Sequence, residues 1–293
     1  MSAVSALEHA ARRRDAFSAA FLLGPATVVV CLTMVAPLLL LARYSVNRFD
    51  PTELMVAAWT FQNYTRFVTD PFYISVLATT IRVSVVVTAA CLVMGIPIAW
   101  RLARTESRWK SAYVMAMVLP LFIGTTTRTA GWMILFSHGG MIDIATRSFF
   151  AVSSRGLANT ELAVVIGIVS INLPFTILTL QTVFEGIDPR LEEAAASMGA
   201  APARSFTRVV LPLAMPGVLI AAVLCFILGM NAFATPLLLG GPRFQMMAPL
   251  LYWEFSSNNN WPFAGVLAFV LMGSTLALTL AASAVIPRRY RVR

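Results

Sequence analysis

The sequence predicts an all-α, polytopic membrane helix bundle of six transmembrane helices with both termini cytoplasmic. Three observations carry that prediction. Of 293 residues, 58% are hydrophobic and only 12% are charged, against roughly 45–50% apolar and about 25% charged in soluble domains. The apolar residues fall into six runs, each long enough for the ~20-residue helix that a hydrocarbon core demands. The basic residues collect on alternate connections between those runs, as the positive-inside rule requires of a cytoplasmic face. A mean hydropathy of +0.78 exceeds what one soluble core has to bury, so much of the apolar surface must meet lipid.

The runs lie at 20–42, 74–100, 112–136, 162–184, 209–230 and 263–286. None alternates apolar and polar residues as barrel strands do, and an uninterrupted apolar stretch in lipid satisfies its backbone only as a helix. The first run follows Arg12, Arg13 and Arg14 as a secretory signal would, yet it is longer than a signal core and lacks a small-residue cleavage site. It reads as a retained span behind a cytoplasmic tail, 1–19. The other inside segments carry Arg101, Arg104, Arg108 and Lys110, then Arg190, Arg204 and Arg208. A basic tail, 287–293, adds Arg288, Arg289, Arg291 and Arg293. Arg43, Arg48, Arg66, Arg147, Arg155 and Arg243 fall outside. The formal charge of +9 therefore marks a membrane side. No basic stripe interleaved with exposed aromatics supports a nucleic-acid partner. Cys31, Cys91 and Cys225 lie within runs without pairing or metal-ligand spacing and read as buried thiols.

One membrane domain, 20–286, covers the chain. Its outer segment 43–73 gathers Pro51, Trp59, Phe61, Tyr64, Phe67 and Tyr73, which suits either an interfacial helix or plug, or an ordinary aromatic belt. The outer segment 231–262 mixes turn formers and interface anchors, Gly240, Gly241, Pro242, Trp253, Asn258 and Trp261-Pro262, and has room for a short re-entrant piece. The inner loop 185–208 is the most distinctive stretch. Asp188 can cap a helix with Pro189 at its first position, and Glu192 and Glu193 sit near the positive end of its dipole. Ala194, Ala195 and Ala196 favour helix and keep its surface shallow, Gly199 permits a tight exit, and Pro202 opens a second short helix. The product is a helix-turn-helix projection. It is either an interfacial connector or a small-residue surface that docks into a partner's cleft.

The spacing Glu193-Ala194-Ala195, then Gly199, then Val209 and Leu211-Pro212 resembles the EAA signature of permease subunits in binding-protein-dependent ATP-binding cassette (ABC) importers. Val209 stands where that family often has isoleucine. The likeness spans nearly the whole chain, since the number of spans, the inner loop and the outer turn before the last span all fit. It implies a type I ABC importer permease fold in which 185–208 is the coupling loop seated on a cytoplasmic ATPase. The ATPase-coupling residues it implies are Asp188, Glu192, Glu193, Ala194, Ala195, Gly199, Val209, Leu211 and Pro212.

Further stretches are similar to the spermidine and putrescine permeases: Thr80-Ile81-Arg82, Gly95-Ile96-Pro97-Ile98-Ala99, Ala103-Arg104, Arg128-Thr129-Ala130-Gly131-Trp132, Leu239-Gly240-Gly241-Pro242-Arg243 and Trp261-Pro262-Phe263. That branch often has an aromatic near Ala130-Gly131, and Ser137-His138-Gly139-Gly140 departs from its Gly-Arg-Asn character. Relatives that move ferric iron, phosphonate or other small solutes share the scaffold, so those solutes stay open beside polyamines.

The resemblance implies partners as well. They are two cytoplasmic ABC ATPase subunits, a second homologous permease or another copy of this chain, and an extracytoplasmic solute-binding protein, assembled with lipid in the bacterial plasma membrane (cell inner membrane) around a small-molecule solute. No cofactor is expected on this chain. It has no Gly-x-x-x-x-Gly-Lys-Ser/Thr phosphate loop, so ATP and Mg belong to the ATPase subunits. Pro97, Pro120, Pro174, Pro212, Pro216 and Pro236 are candidates for shaping bent or broken helices around a path. Possible path residues are Arg82, Arg128, Trp132, Asn172, Asn231 and Glu254. An intramembrane arginine has to pair, snorkel or face the bundle interior, and the asparagines either line the path or bridge helices. Asp143 and Glu254, on outer segments, either attract a cation or are solvated. An enzyme is not expected: His9 and His138 are isolated, and neither HExxH nor G-x-S-x-G occurs. A membrane-embedded enzyme would need a convergent polar constellation, and a stand-alone channel would conduct without an ATPase.

Overall fold

The computed structural model describes residues 24–25, 27–137, 139–144 and 159–285. The predicted tails 1–19 and 287–293, the first residues of the 20–42 run, and His9, His138, Arg147 and Arg155 lie outside them. Five helices are long and apolar enough to cross a membrane: α1 (Thr27–Ser45), α3 (Pro71–Ala103), α6 (Glu161–Glu185), α8 (Pro202–Met230) and α11 (Trp261–Val285). Shorter helices are α2 (Gln62–Thr69), α4 (Lys110–Val118), α5 (Thr125–Phe136), α7 (Arg190–Ser197), α9 (Ala234–Leu239) and α10 (Met247–Ser256). Among the described residues every regular element is helical, with one isolated antiparallel bridge between Arg48 and Val56.

The centre is a three-helix contact of α3, α6 and α8. Hydrophobic attraction between helices is weak when lipid is the alternative, so close approach depends on small residues. A Cβ on Gly217 of α8 would sit 2.3 Å from a methyl of Val183 on α6, and one on Gly229 would sit 3.2 Å from Ser84 on α3. Val83, Val87, Cys91, Ile168 and Cys225 fill one core cluster, and Ala99, Leu180, Phe184, Val210 and Ala214 fill another toward the α7 end. At the opposite end Tyr73, Phe263 and Leu250 join α3, α11 and α10, with Phe67 of α2 packed in. At ~1.5 Å per residue the 33 residues of α3 reach about 50 Å, well beyond the ~30 Å hydrocarbon core. α1 is peripheral, its apolar side chains exposed, and touches α11 where Gly265 faces the Leu41 carbonyl.

The predicted span 112–136 is not one helix. α4 tightens into a 3-10 turn at Leu119–Phe122, the backbone is extended at Ile123, and α5 starts afresh at Thr125. Pro120 has no N–H to continue the ladder, which frees carbonyls that must find donors at membrane depth. Arg128 supplies them, its Nη2 donating to the carbonyls of Pro120 and of Ile123. Hydropathy alone cannot register such a break.

One other expectation changes. The helix that Pro202 opens is not a separate short element but runs into the span as α8, through a π turn at Phe206–Val210 in which the Leu211 N–H reaches the Phe206 carbonyl. Pro212 and Pro216 explain the irregularity: a proline ring one turn on has no donor for, and collides with, the carbonyl four residues back, and a π turn widens the helix to admit it. The 43–73 segment holds only the eight-residue α2 and a compact hairpin, where Asn63 Nδ2 donates to the carbonyls of Ser45 and Asn47 (3.0 and 2.8 Å). Trp59 stays 81% exposed, with the Arg43 guanidinium 4.4 Å from its ring centroid. The 231–262 segment folds into α9 and α10.

Candidate functional site

The loop between α6 and α8 forms a projection with its own caps. Asp188 Oδ1 accepts the Arg190 N–H at 2.9 Å, and the Pro189 carbonyl begins the helical ladder. α7 ends in a paired motif in which the Ala200 N–H returns to the Ala195 carbonyl (3.0 Å) and the Gly199 N–H to the Ala196 carbonyl (2.9 Å). Gly199 makes that turn at φ +82°, a conformation costly for any residue with a Cβ. Glu193, Ala194 and Gly199 are exposed, as are Leu191 (44%) and Met198 (84%), whereas Ala195 is buried. Val209 sits in the π turn, with Leu211 and Pro212 immediately after it.

Glu192 does not share Glu193's exposure. Its Oε1 accepts from Arg104 Nε at 2.7 Å, with both side chains 19% exposed, and Arg104 Nη1 also donates to the Phe184 carbonyl at 3.2 Å. Beside this pair Lys110 of α4 meets Glu185 of α6 at 2.8 Å. The projection is thus fastened to the ends of α3, α4 and α6. Arg104 and Lys110 enter sequence reasoning as members of a basic cluster, and Arg104 also within the Ala103-Arg104 stretch; their ion pairs do not, because partners 88 and 75 residues away leave no local pattern.

The second feature is a cavity of about 400 Å³ bounded by Thr125, Thr126, Asn172, Phe175, Asn231, Phe233 and their neighbours. Asn172 lies near the midpoint of α6. Three helix ends converge around it: α5 begins at Thr125, α8 ends at Met230, and α9 begins at Ala234. Irregular backbone at membrane depth is tolerated where it lines a cavity or is buried in protein. Buried Asn172 donates through Nδ2 to the Cys225 carbonyl at 3.4 Å, bridging α6 and α8. Exposed Asn231 closes its own helix by donating to the Ile227 carbonyl at 2.9 Å. Gly167 lets α9 press on α6 next to the cavity, since a Cβ there would lie 2.6 Å from Thr235 Cγ2. Among the described residues the lining includes no charged side chain.

The remaining path candidates are not gathered here. Arg82 of α3 pairs with Glu161 at the start of α6 (2.6 Å), both partly open, at 61% and 40%. Arg128 is occupied by the carbonyls of the broken run. Trp132 Nε1 donates to Ser170 Oγ at 2.9 Å, fastening α5 to α6. Glu254 belongs to α10, is 7% exposed and accepts from Asn258 Nδ2 at 3.2 Å. Solvation of Asp143 and Glu254 is thereby corrected: Asp143 is 2% exposed and accepts the Gly139 N–H. Thr125, Thr126, Phe175 and Phe233 are cavity residues that sequence reasoning passed over. The one local signal was Gly124 followed by three threonines, a helix start inside an apolar run.

Residues 89–291 match the family described as binding-protein-dependent transport system inner membrane component. The chain is 30% identical over 253 residues to the spermidine/putrescine transport system permease protein PotB of Haemophilus influenzae, covering 86% of this chain and 87% of that one. It is 36% identical over 162 residues to the molybdenum transport system permease protein ModB of Azotobacter vinelandii, covering 55% and 70%. In fold it is similar to a chain of a bacterial alginate ABC transporter solved with an alginate-bound periplasmic protein, with TM-score 0.79, 16% identity and coverage of 96% and 97%. The chain belongs to the binding-protein-dependent transport system inner membrane components and is a multi-pass permease subunit of an ABC importer.

Proposed function

We propose that this permease imports polyamines of the spermidine and putrescine kind, with energy entering at the 185–208 projection and solute passing the cavity at the middle of α6. One observation supports this most directly: the projection is the connection between α6 and α8, the two long helices that line the cavity. A displacement of the projection by a cytoplasmic ATPase therefore reaches both walls without an intermediary. Glu193, Ala194 and Gly199 form the docking face, and the exposed Leu191 and Met198 give it apolar contact. Two ATPase subunits hold the ATP and Mg, an extracytoplasmic binding protein delivers solute, and a second permease, homologous or identical, completes the path. In this arrangement both termini are cytoplasmic and the broken run from α4 to α5 is the sixth crossing.

The cavity's chemistry suits a solute released in transit. Asparagine carbonyls and the faces of Phe175 and Phe233 attract an ammonium group without an ion pair strong enough to hold it. The polyamine reading is supported by the likeness to PotB over most of both chains. The absence of an acidic side chain among the described residues of the lining favours a second reading, import of an anionic small solute such as phosphonate, and gives no support to ferric iron, itself a cation. Uptake assays with the complete importer in proteoliposomes separate the two. Binding-protein-dependent, ATP-driven accumulation of labelled spermidine is expected; accumulation of another solute with none of spermidine overturns the polyamine reading.

A further inference from the structure

We infer that Arg104 is a positioning residue that makes the projection and the ends of α3 and α6 move as one body. This rests on the reading of the projection as the ATPase docking element. Arg104 lies one residue beyond α3, and its backbone N–H still reaches back to the Trp100 carbonyl at 3.1 Å. From there one guanidinium addresses two other elements, Glu192 in the first turn of α7 through Nε (2.7 Å) and the Phe184 carbonyl in the last turn of α6 through Nη1 (3.2 Å). Only a planar fork with several donors serves both at once; a lysine ammonium is a point charge on a flexible stem.

Burial strengthens the link. At 19% exposure for each partner the pair is screened less than a surface pair, and truncating one side leaves the other charge poorly compensated. Glu192 and Glu193 divide the work by helical phase. Successive residues are ~100° apart on a helix, so one carboxylate turns inward to Arg104 while its neighbour stays on the exposed face.

The test uses the complete importer with its ATPase subunits and binding protein, with spermidine as the transport probe. Arg104→Gln and Glu192→Gln are each expected to lower uptake per ATP hydrolysed about tenfold, to leave ATPase association intact, and to show no additivity when combined. Arg104→Lys falls between, and the reversed pair Arg104→Glu with Glu192→Arg recovers part of the loss. A second readout needs no solute: spin labels at Arg190 and Val93, both exposed, in a Cys31→Ser background. Their distance is expected to stay constant between nucleotide-free and ATP-vanadate states, and to broaden in Arg104→Gln. An unchanged coupling ratio and label distance in Arg104→Gln, while Gly199→Glu uncouples, overturns the role of Arg104 alone. Full ATPase association and coupling in Gly199→Glu overturns the docking reading instead.

Discussion

The projection and the cavity lie on the same two helices yet hold their polar groups in opposite ways. In the projection nearly every end is closed from within: Asp188 caps α7, Gly199 turns its exit, and Arg104 and Lys110 tie it to neighbouring spans. Around the cavity helices stop short, and neutral side chains do the finishing, Asn231 on its own helix and Asn172 across to α8. Under the proposed function, charge and caps suit the first to act as a lever, which must not deform, and neutral, dipolar groups suit the second to act as a passage, which must bind weakly.

Variants break this contrast if lever residues alter selectivity or passage residues alter coupling. Gly199→Glu has the largest expected effect. It places a Cβ at φ +82° and a charge on the docking face, so uptake falls about a hundredfold, equivalent to ~2.8 kcal/mol, while the insertion of the permease and the solute preference of uptake are retained. Co-purification with the ATPase and competition uptake assays read the two halves of that statement. Gly217→Leu abolishes the contrast, because a side chain 2.3 Å from Val183 overpacks α6 against α8 at a cost of about 1–3 kcal/mol; coupling and uptake fall together with the thermal midpoint.

Asn172→Leu sharpens the contrast. The KM for uptake rises about tenfold, ~1.4 kcal/mol, with transport per ATP unchanged; a lower coupling ratio at normal KM would assign Asn172 to the lever. Arg82→Gln has the smallest effect, since its pair with Glu161 is largely open and exposed pairs contribute below ~1 kcal/mol. The thermal midpoint moves by less than about 4 °C, and uptake is unaffected.

The lever was far more legible in sequence than the passage. Asp188, Pro189, Gly199 and Pro202 act on backbone within a few residues of themselves, so their spacing already states the local shape. Five of the expected spans likewise follow from runs whose length and apolarity are local properties. The break at Pro120–Gly124 lies in a run that hydropathy reads as continuous; Pro120 marked it as a place for a bent or broken helix, but its repair comes from Arg128, read in sequence as an arginine that had to pair, snorkel or face the bundle interior and as a path candidate. Cavity residues such as Phe175 and Phe233 are chemically ordinary, and their meaning comes from which helix ends meet. Arg104 was hidden for the same reason, its partner being supplied by tertiary structure.

The π turn at Phe206–Val210 has a consequence for chain length. One residue advances an α-helix by about 100°, so the extra residue held in that turn sets the compass bearing at which the projection leaves α8. Deleting a single residue there would iron the turn into regular helix and swing the exposed face of the projection a quarter-turn or more around the axis, with every side chain of the signature still present. In this stretch the tally of residues is itself information, and an alignment that gains or loses one position between Ser205 and Leu211 should be read as a change of aim.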